Sequence, residues 1–192
     1  MAKRITEFYQ DGIYHLYNRG VDGRQIFLDD QNYLFFSQRL LQYSSELSII
    51  ILAYCPMPTH FHLLVQQNGD VAAGILCQRI CNSYTKAFNN WAHRTGTLFE
   101  SKFKSIDVDQ EDYLLQVTRY IHANPVKAGL VDLPAKWLFS DYGEWMKHSY
   151  YEKMNDSVKG MFISPSDYAS FVNDYINDTA SLPDDFARYA LE

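Results

Sequence analysis

Hydrophobic and polar residues alternate along the chain with a period that changes between strand and helix. Short apolar segments rich in β-branched and aromatic residues predict strands, and apolar residues three and four positions apart predict helices. Four strands are predicted, over residues 12–20, 47–55, 60–67 and 103–109. Three helices are predicted, over residues 29–43, 71–93 and 110–124, and Pro125 is expected to stop the last because its ring cannot continue a helix.

The order of these elements indicates the fold. The first six run strand, helix, strand, strand, helix, strand, with residues 56–59 as a proline-rich turn between the middle strands. This is the split β-α-β-β-α-β arrangement, in which two helices cover one face of an antiparallel sheet. The appended helix 110–124 is the expected cover of the other face. We therefore predict an α+β fold.

The chain has room for one domain and a tail. Its 192 residues, 47% of them hydrophobic, can bury a sizeable core but leave no length for a second full domain. We place the domain at residues 1–145 and an acidic accessory helical tail at 146–192, where Ser164 and Pro165 precede an apolar helical pattern. Since no apolar run suits a membrane span or a signal peptide, a cytoplasmic protein without a membrane partner is expected.

The net charge of −6 is unevenly distributed. Residues 1–131 carry 12 basic and 12 acidic side chains, whereas residues 132–192 carry 5 basic and 11 acidic ones. Because residues 1–131 carry no net charge, we expect them to contact nucleic acid over a small surface and not to attract it over a long distance. The three cysteines, Cys55, Cys77 and Cys81, are interpreted as buried reduced thiols in preference to a metal or redox site.

Two histidines on the third strand are candidate metal ligands. Because side chains alternate along a strand, His60 and His62 point to one face, and Phe61, Leu63 and Val65 point to the other. The apolar set must face the two covering helices. The imidazoles are therefore expected to face helix 110–124.

That helix carries a tyrosine and an amide on one stripe. Tyr113, Val117, Tyr120 and Asn124 are three and four residues apart, so Tyr120 and Asn124 lie one turn apart. A divalent cation held by two imidazoles and an amide oxygen keeps positions open for phosphate oxygens. A tyrosine can then attack the phosphodiester and retain the energy of the broken bond in a covalent phosphotyrosine. This chemistry suits DNA strand transfer.

Each of these residues also has a simpler interpretation. The histidines could be satisfied at the sheet surface, and Tyr120 could be a core residue of the apolar stripe. Asn124 could simply end the helix before Pro125, because the residue before proline is pushed out of α geometry. Only the convergence of the four residues favours a site.

Basic and aromatic residues around this site are candidate DNA contacts. Arg19, at the end of the first strand, is the strongest candidate, and Tyr84 and Phe88 are better explained as helix core than as stacking platforms for bases. His15 either lines the site or supports it, and no role is assigned to His122. The predicted DNA contacts are Arg19, Arg24, Lys86, Arg94, Lys102, Lys104 and Lys127, with Phe99 and Phe103 interleaved.

Four segments resemble a known family in order and spacing. They are YHLYNRG (14–20), AYCPMPTHFHLLV (53–65), TGTLFESKFKS (95–105) and YLLQVTRYIHANPVKAGLV (113–131). The chain resembles the REP-associated tyrosine transposases within the HUH single-tyrosine transposases. The resemblance implies a ferredoxin-like antiparallel sheet, His60, His62 and Asn124 as ligands of Mg²⁺ or Mn²⁺, and Tyr120 as nucleophile. The 95–105 segment is usually more basic in that family, and Glu100 there affects the expected strength of DNA contact.

The function expected from both arguments is that of a transposase-type endonuclease and strand transferase. It would nick single-stranded or hairpin DNA, such as REP-like palindromic ends, and leave a 5′-phosphotyrosine and a free 3′-hydroxyl. The sequence is also compatible with a homodimer. Two alternatives stay open: a domesticated DNA-hairpin-binding protein without catalysis, which the intact site disfavours, and a metal-dependent hydrolase of small molecules.

Overall fold

The computed structural model describes residues 6–109, 111–147 and 164–177. These residues form a four-stranded sheet with helices on both faces. The strands are β1 (Ile13–Arg19), β2 (Ile49–Met57), β3 (His60–Gln67) and β4 (Lys104–Asp107). The helices are α1 (Asp30–Glu46), α2 (Ala73–Trp91), α3 (Glu111–Lys127), α4 (Tyr142–Trp145) and α5 (Pro165–Ile176), with 3₁₀ turns at Val21–Gly23 and Pro134–Lys136.

The sheet has the strand order β2-β3-β1-β4, and all three strand pairs are antiparallel. Together with the helix order, this confirms the predicted α+β, ferredoxin-like β-α-β-β-α-β fold. The register of β1 and β3 aligns Arg19 with His60 and Tyr17 with His62. The two central strands therefore bring the histidine pair beside β1.

The sheet separates two hydrophobic cores. Phe61, Leu63 and Val65 of β3 pack with residues of α1 and α2 in the first core. Leu64 packs in the second core, on the α3 side, with Tyr120. This alternation confirms that the face carrying His60 and His62 is the one that α3 covers.

Local contacts fix the starts of the first two helices. The Asp29 side chain accepts a hydrogen bond from the backbone N–H of Asn32 (3.0 Å), and the Asn32 side chain accepts one from the N–H of Leu28 (2.9 Å). These contacts satisfy backbone groups at the start of α1. At α2, the side-chain oxygen of Gln67 accepts from the N–H of Ala73 (3.0 Å), so a strand residue supplies the cap.

The hairpin turn is shorter than predicted. Pro56 and Met57 belong to β2 and pair with Phe61 and His60, which leaves Pro58 and Thr59 as the turn. Pro56 can lie in the strand because β2 is at the edge of the sheet, where a missing N–H costs no ladder hydrogen bond on the outer side. The prediction of a turn over residues 56–59 was therefore wrong for residues 56 and 57, which belong to β2.

Helix α3 also differs from the prediction, since it continues through Pro125 to Lys127. A proline this close to a helix end removes only one hydrogen bond of the last turn. The N–H of Ala128 still bonds to the carbonyl of Asn124 (2.9 Å), and Gly129 ends the turn with φ +68°. Asn124 is therefore helical, which excludes the interpretation that it ends the helix.

Helix α5, the last helix of the described part of the chain, packs on α3. It begins as predicted at Ser164, whose hydroxyl accepts from the N–H of Asp167 (3.3 Å), and its Tyr168 and Val172 are buried in the second core. Residues 148–163 and 178–192, which include most of the predicted accessory tail, lie outside the described residues. Cys55, Cys77 and Cys81 are free thiols, as predicted, although Cys81 is only partly buried.

Among the described residues, no helix is both long enough and apolar enough to span a bilayer.

Candidate functional site

The predicted histidine pair lies at the start of β3. The ring centroids of His60 and His62 are 5.1 Å apart. His62 is completely buried, whereas His60 is partly accessible. The two rings are therefore close enough to contact one small ion, and His60 is the one that solvent can reach.

Hydrogen bonds determine which nitrogen each histidine offers. Nδ1 of His62 lies 2.9 Å from Nε2 of His15, and Nδ1 of His60 lies 2.9 Å from Oγ1 of Thr59. Nε2 of His62 is buried and has no hydrogen-bond partner among the described residues. Nε2 is thus the nitrogen left for a ligand on both rings, and the Nδ1 contacts hold the ring orientations as outer contacts do around bound metals.

Burial keeps these imidazoles neutral at pH 7. It lowers the pKa of His15 to about 3, and burial together with the nearby charge of Arg19 lowers the pKa of His60 to about 4. Burial, His60 and His15 hold the pKa of His62 well below its usual value. A neutral imidazole has a free lone pair, so the electrostatics of the pair suit metal ligation.

Tyr120 packs directly on this cluster from α3. Its ring centroid lies 5.4 Å from that of His62, with the rings almost perpendicular at 83°, and 6.4 Å from that of His15. The side chain is only 7% exposed. The structure therefore brings Tyr120 and the histidines together as the helical stripe predicts.

Asn124 follows one turn later on the same helix, about 6 Å along the axis. Its side-chain nitrogen is buried without a hydrogen-bond partner among the described residues. Rotating the amide by half a turn would place Oδ1, a metal-ligating atom, at that position. His62 and Asn124 therefore each carry a buried polar atom that a cation could satisfy. Within the described residues no three His, Cys, Asp or Glu side chains form a metal cluster, so a cation here would need the amide.

Arg19, the strongest predicted DNA contact, is held beside His60 by an ion pair. Its guanidinium binds both carboxylate oxygens of Glu100, and the Nη2 to Oε1 distance is 3.0 Å. Gly20 follows Arg19 where the backbone of Arg24 comes so close that a Cβ would lie 2.2 Å from its carbonyl oxygen. This close approach requires glycine and fixes the end of β1.

Three of the other predicted DNA contacts lie at the site or at a nearby cavity, and three lie elsewhere. Lys104 lies at the site, with its Nζ 5.8 Å from the ring centroid of Tyr17, and Lys86 and Lys102 line a cavity between α2 and the 97–103 loop. The others lie outside both places. Arg24 pairs with Asp22 (3.7 Å), Arg94 binds the carbonyl of Thr97 (2.7 Å), and Lys127 lies over Tyr175.

The aromatic candidates also separate. Tyr84 and Phe88 are buried in the core formed with α1 and α2, which confirms the core interpretation. Phe99 and Phe103 are each 8% exposed and line the cavity.

Tyr17 of β1 also lies beside the histidines, although it was not among the predicted site residues. Its ring centroid lies 4.9 Å from that of His15 and 6.0 Å from that of His62. Burial, followed by the proximity of Tyr120, raises its pKa. Because side chains alternate along β1, Tyr17 lies on the same face of the sheet as His15. The strand pattern could therefore have predicted Tyr17 as a residue of the site.

His122, to which the sequence pattern gave no role, is completely buried on α3. Its Nε2 lies 3.0 Å from Oδ1 of Asp141, and its Nδ1 contacts the hydroxyl of Tyr168. Asp141 also accepts from the backbone N–H of Tyr54 (2.7 Å) in β2. This network ties α3 to the sheet and to α5, and no local motif marks it because its members are distant in sequence.

Comparisons with known proteins concern the fold and the family of the chain. A solved REP-associated tyrosine transposase bound to a REP hairpin is 20% identical, with a TM-score of 0.64 over 79% of this chain and 88% of that chain, and supports the fold alone. A structure from Deinococcus radiodurans R1, provisionally named a transposase, is 17% identical, with a TM-score of 0.43 over 63% of this chain and 95% of that chain. No curated protein sequence matches. The family model for IS200-like transposases matches residues 9–124, more than half of the chain, and the chain therefore belongs to the IS200-like transposase family.

Proposed function

We propose that the protein is a metal-dependent endonuclease and strand transferase that nicks single-stranded or hairpin DNA through a covalent 5′-phosphotyrosine on Tyr120. Membership of a transposase family gives the reaction class, which is the processing of DNA. The single observation that carries the finer proposal is the packing of Tyr120 against His62, whose buried Nε2 has no hydrogen-bond partner among the described residues. The buried amide nitrogen of Asn124, one helical turn after Tyr120, likewise has none among them. Buried polar atoms of this kind are costly unless a ligand satisfies them.

The proposed chemistry balances without a nucleotide cofactor. The Tyr120 oxygen attacks the phosphorus of a phosphodiester, a P–O bond to the phenol forms, and the bond from phosphorus to the 3′ oxygen breaks. The phenol proton leaves, and the departing 3′ oxygen takes up a proton to become a 3′-hydroxyl. Attack by another 3′-hydroxyl on the phosphotyrosine reverses the step and joins a new strand.

The residues of the site divide the remaining tasks. His60, His62 and the Asn124 amide oxygen would hold Mg²⁺ or Mn²⁺. When bound, the ion supplies Lewis-acid stabilisation of the charge that develops on the phosphate oxygens. Thr59 and His15 orient the two imidazoles through their Nδ1 contacts.

DNA contacts are proposed around this centre. Arg19 and Lys104 lie nearest, because Arg19 pairs with His60 in the sheet register and Lys104 with Tyr17. They are suited to phosphates on either side of the attacked bond. The remaining proposed contacts are Arg24, Lys86, Arg94, Lys102 and Lys127.

A covalent-trapping experiment tests the proposal. The full chain is incubated with Mn²⁺ and hairpin DNA that has single-stranded flanks and a 3′-end label, because the fragment bound through its 5′-phosphate keeps the 3′ end. A denaturing gel reports a protein–DNA adduct. We expect an adduct with the wild type, none with Tyr120→Phe, and none when EDTA replaces the metal.

Tyr17→Phe is the informative comparison, because Tyr17 is the other phenol beside the histidines. The adduct should persist in this variant. An adduct that survives Tyr120→Phe and disappears in Tyr17→Phe would reassign the nucleophile, and hairpin binding with no adduct in any metal would favour a binding protein without catalysis.

A further inference from the structure

We propose that the cavity between α2 and the 97–103 loop binds one unpaired nucleotide of the DNA strand that flanks the attacked phosphodiester. The inference rests on the proposed function for its substrate class and adds a recognition site away from the reacting atoms. The cavity has a volume of about 620 Å³. This lies within the range of roughly 300–1,000 Å³ that is typical of small-molecule sites.

Apolar side chains form one wall of the cavity. Leu98, Phe99 and Phe103 all line it while staying at least nine-tenths buried, and Phe99 is fixed from behind by an edge contact with Phe61 at 5.8 Å. Rigid aromatic surface of this kind can contact the face of any base without reading its sequence.

The opposite wall, on α2, offers amides. Gln78 and Asn82 are exposed, line the cavity, and make no side-chain hydrogen bond among the described residues. An amide presents both a donor and an acceptor, which is what the edge of a base requires. Asn18, at the cavity floor, is already occupied, because it donates to the carbonyl of Ser101 (3.1 Å) and accepts from the N–H of Arg19 (3.0 Å).

The charge of the lining matches a nucleotide. Among the described residues of the lining, Lys86 and Lys102 are the charged ones, and none is an aspartate or glutamate. This is notable in a chain with a net charge of −6. A local cationic rim in an acidic protein favours an anionic ligand, and a phosphate beside the bound base supplies that anion.

The cavity lies next to a small surface depression on the side of the proposed catalytic site. Asn18 and Ser101 line both the cavity and this depression, whose other lining residues are Tyr17, Arg19, Lys104 and Glu100, the ion-pair partner of Arg19. Arg19 is paired in the sheet with His60. A strand whose phosphate lies at the histidines would therefore pass Arg19, cross the edge of the sheet at Ser101, and reach the cavity.

Binding of an oligothymidylate of about 12 nucleotides, measured by fluorescence anisotropy, tests the inference on the full chain. Asn82→Trp should fill the cavity and weaken binding by about 5-fold to 100-fold, the loss of one base contact. Gln38→Trp is the matched control, since Gln38 is an exposed amide on α1 outside the cavity, and it should bind like the wild type. Thermal unfolding checks that both variants fold.

Two further measurements test separately whether the cavity contacts the phosphate and the base of the nucleotide. The double substitution Lys86→Gln and Lys102→Gln should reduce the salt dependence of binding by a slope of about 0.7 for each lost phosphate contact. An abasic oligomer of equal length should bind the wild type and Asn82→Trp equally. The inference would be overturned if Asn82→Trp bound oligothymidylate with the affinity of the wild type. It would also be overturned if the substitution weakened binding of the abasic oligomer as much as binding of oligothymidylate.

The adduct assay separates this inference from the proposed function. If the wild type forms the Tyr120 adduct and Asn82→Trp binds oligothymidylate normally, the nucleotide site is rejected and strand transfer stands. If Asn82→Trp loses affinity and the wild type forms no adduct, the nucleotide site stands and strand transfer is rejected. A wild type that binds no oligothymidylate rejects the nucleotide site.

Discussion

Nε2 of His15 lies 2.9 Å from Nδ1 of His62, and both rings are completely buried. One proton is shared across this contact, so the tautomer of one ring sets that of the other. For His62 to present a lone pair at Nε2, its Nδ1 must carry the hydrogen and donate it to His15. His15 is therefore a positioning residue for the proposed metal site.

Substitution of His15 should weaken metal binding without removing a ligand. In His15→Phe the Nδ1–H of His62 would have no acceptor, and we expect about 10-fold to 100-fold weaker Mn²⁺ binding by isothermal titration calorimetry. His15→Gln keeps an acceptor oxygen and should recover much of that affinity. Equal affinity of the phenylalanine variant and the wild type would show that the contact does not orient His62.

The buried histidines should make the metal-free protein sensitive to acid. Burial lowers the pKa of His15 to about 3 and that of His62 well below its usual value, whereas both titrate near 6.5 when unfolded. Below pH 6.5 the unfolded chain therefore binds more protons than the native one. The free energy of unfolding should fall with decreasing pH, by about 1.4 kcal/mol per pH unit for each histidine.

Urea unfolding with EDTA between pH 7 and pH 5 measures this slope. His15→Gln should remove the contribution of one histidine and flatten the curve by about that amount per pH unit. A slope identical to the wild type would mean that His15 is protonated in the native protein.

Glu100 should restrain DNA binding through its ion pair with Arg19. The pair is exposed, so Glu100→Gln should change stability little, but it frees the guanidinium for a phosphate and removes a negative charge. We expect a several-fold higher affinity for single-stranded DNA and a salt slope steeper by about 0.7. Glu144→Gln, at the exposed Lys147 pair away from the site, is the control and should have no effect.

The His122 network should stabilise the fold. His122→Phe removes the contacts to Asp141 and Tyr168 and leaves a buried carboxylate with one partner fewer. We expect a loss of about 2–4 kcal/mol in the free energy of unfolding, measured by urea denaturation. A loss below about 1 kcal/mol would indicate that the backbone N–H of Tyr54 and the indole N–H of Trp145 are sufficient to hold Asp141.

Sequence periodicity was sufficient for the fold and for part of the site. The alternation in β3 and the helical stripe in α3 are local signals, and they correctly brought His62 and Tyr120 to one side of the sheet. The predicted end of α3 was wrong, since the helix continues to Lys127. The destabilisation that Pro125 causes depends on its distance from the helix end, and sequence alone does not define that end.

Contacts between distant segments could not be predicted. The Arg19–Glu100 pair joins residues 81 positions apart, and the His122–Tyr168 contact spans 46. Such pairs depend on how loops and helices pack, and no periodic pattern encodes them. The cavity between α2 and the 97–103 loop arises in the same way, although Lys86, Lys102, Phe99 and Phe103 had been identified individually as candidate contacts.

The packing of Tyr120 on His62 within one polypeptide has a kinetic consequence. If these residues act together as proposed, the attacking oxygen and the ligand come from the same molecule, and no second subunit has to donate either. The nicking rate per molecule should then stay constant when the enzyme is diluted, with first-order dependence on protein at every concentration. Mixing Tyr120→Phe chains with His62→Ala chains should restore no cleavage.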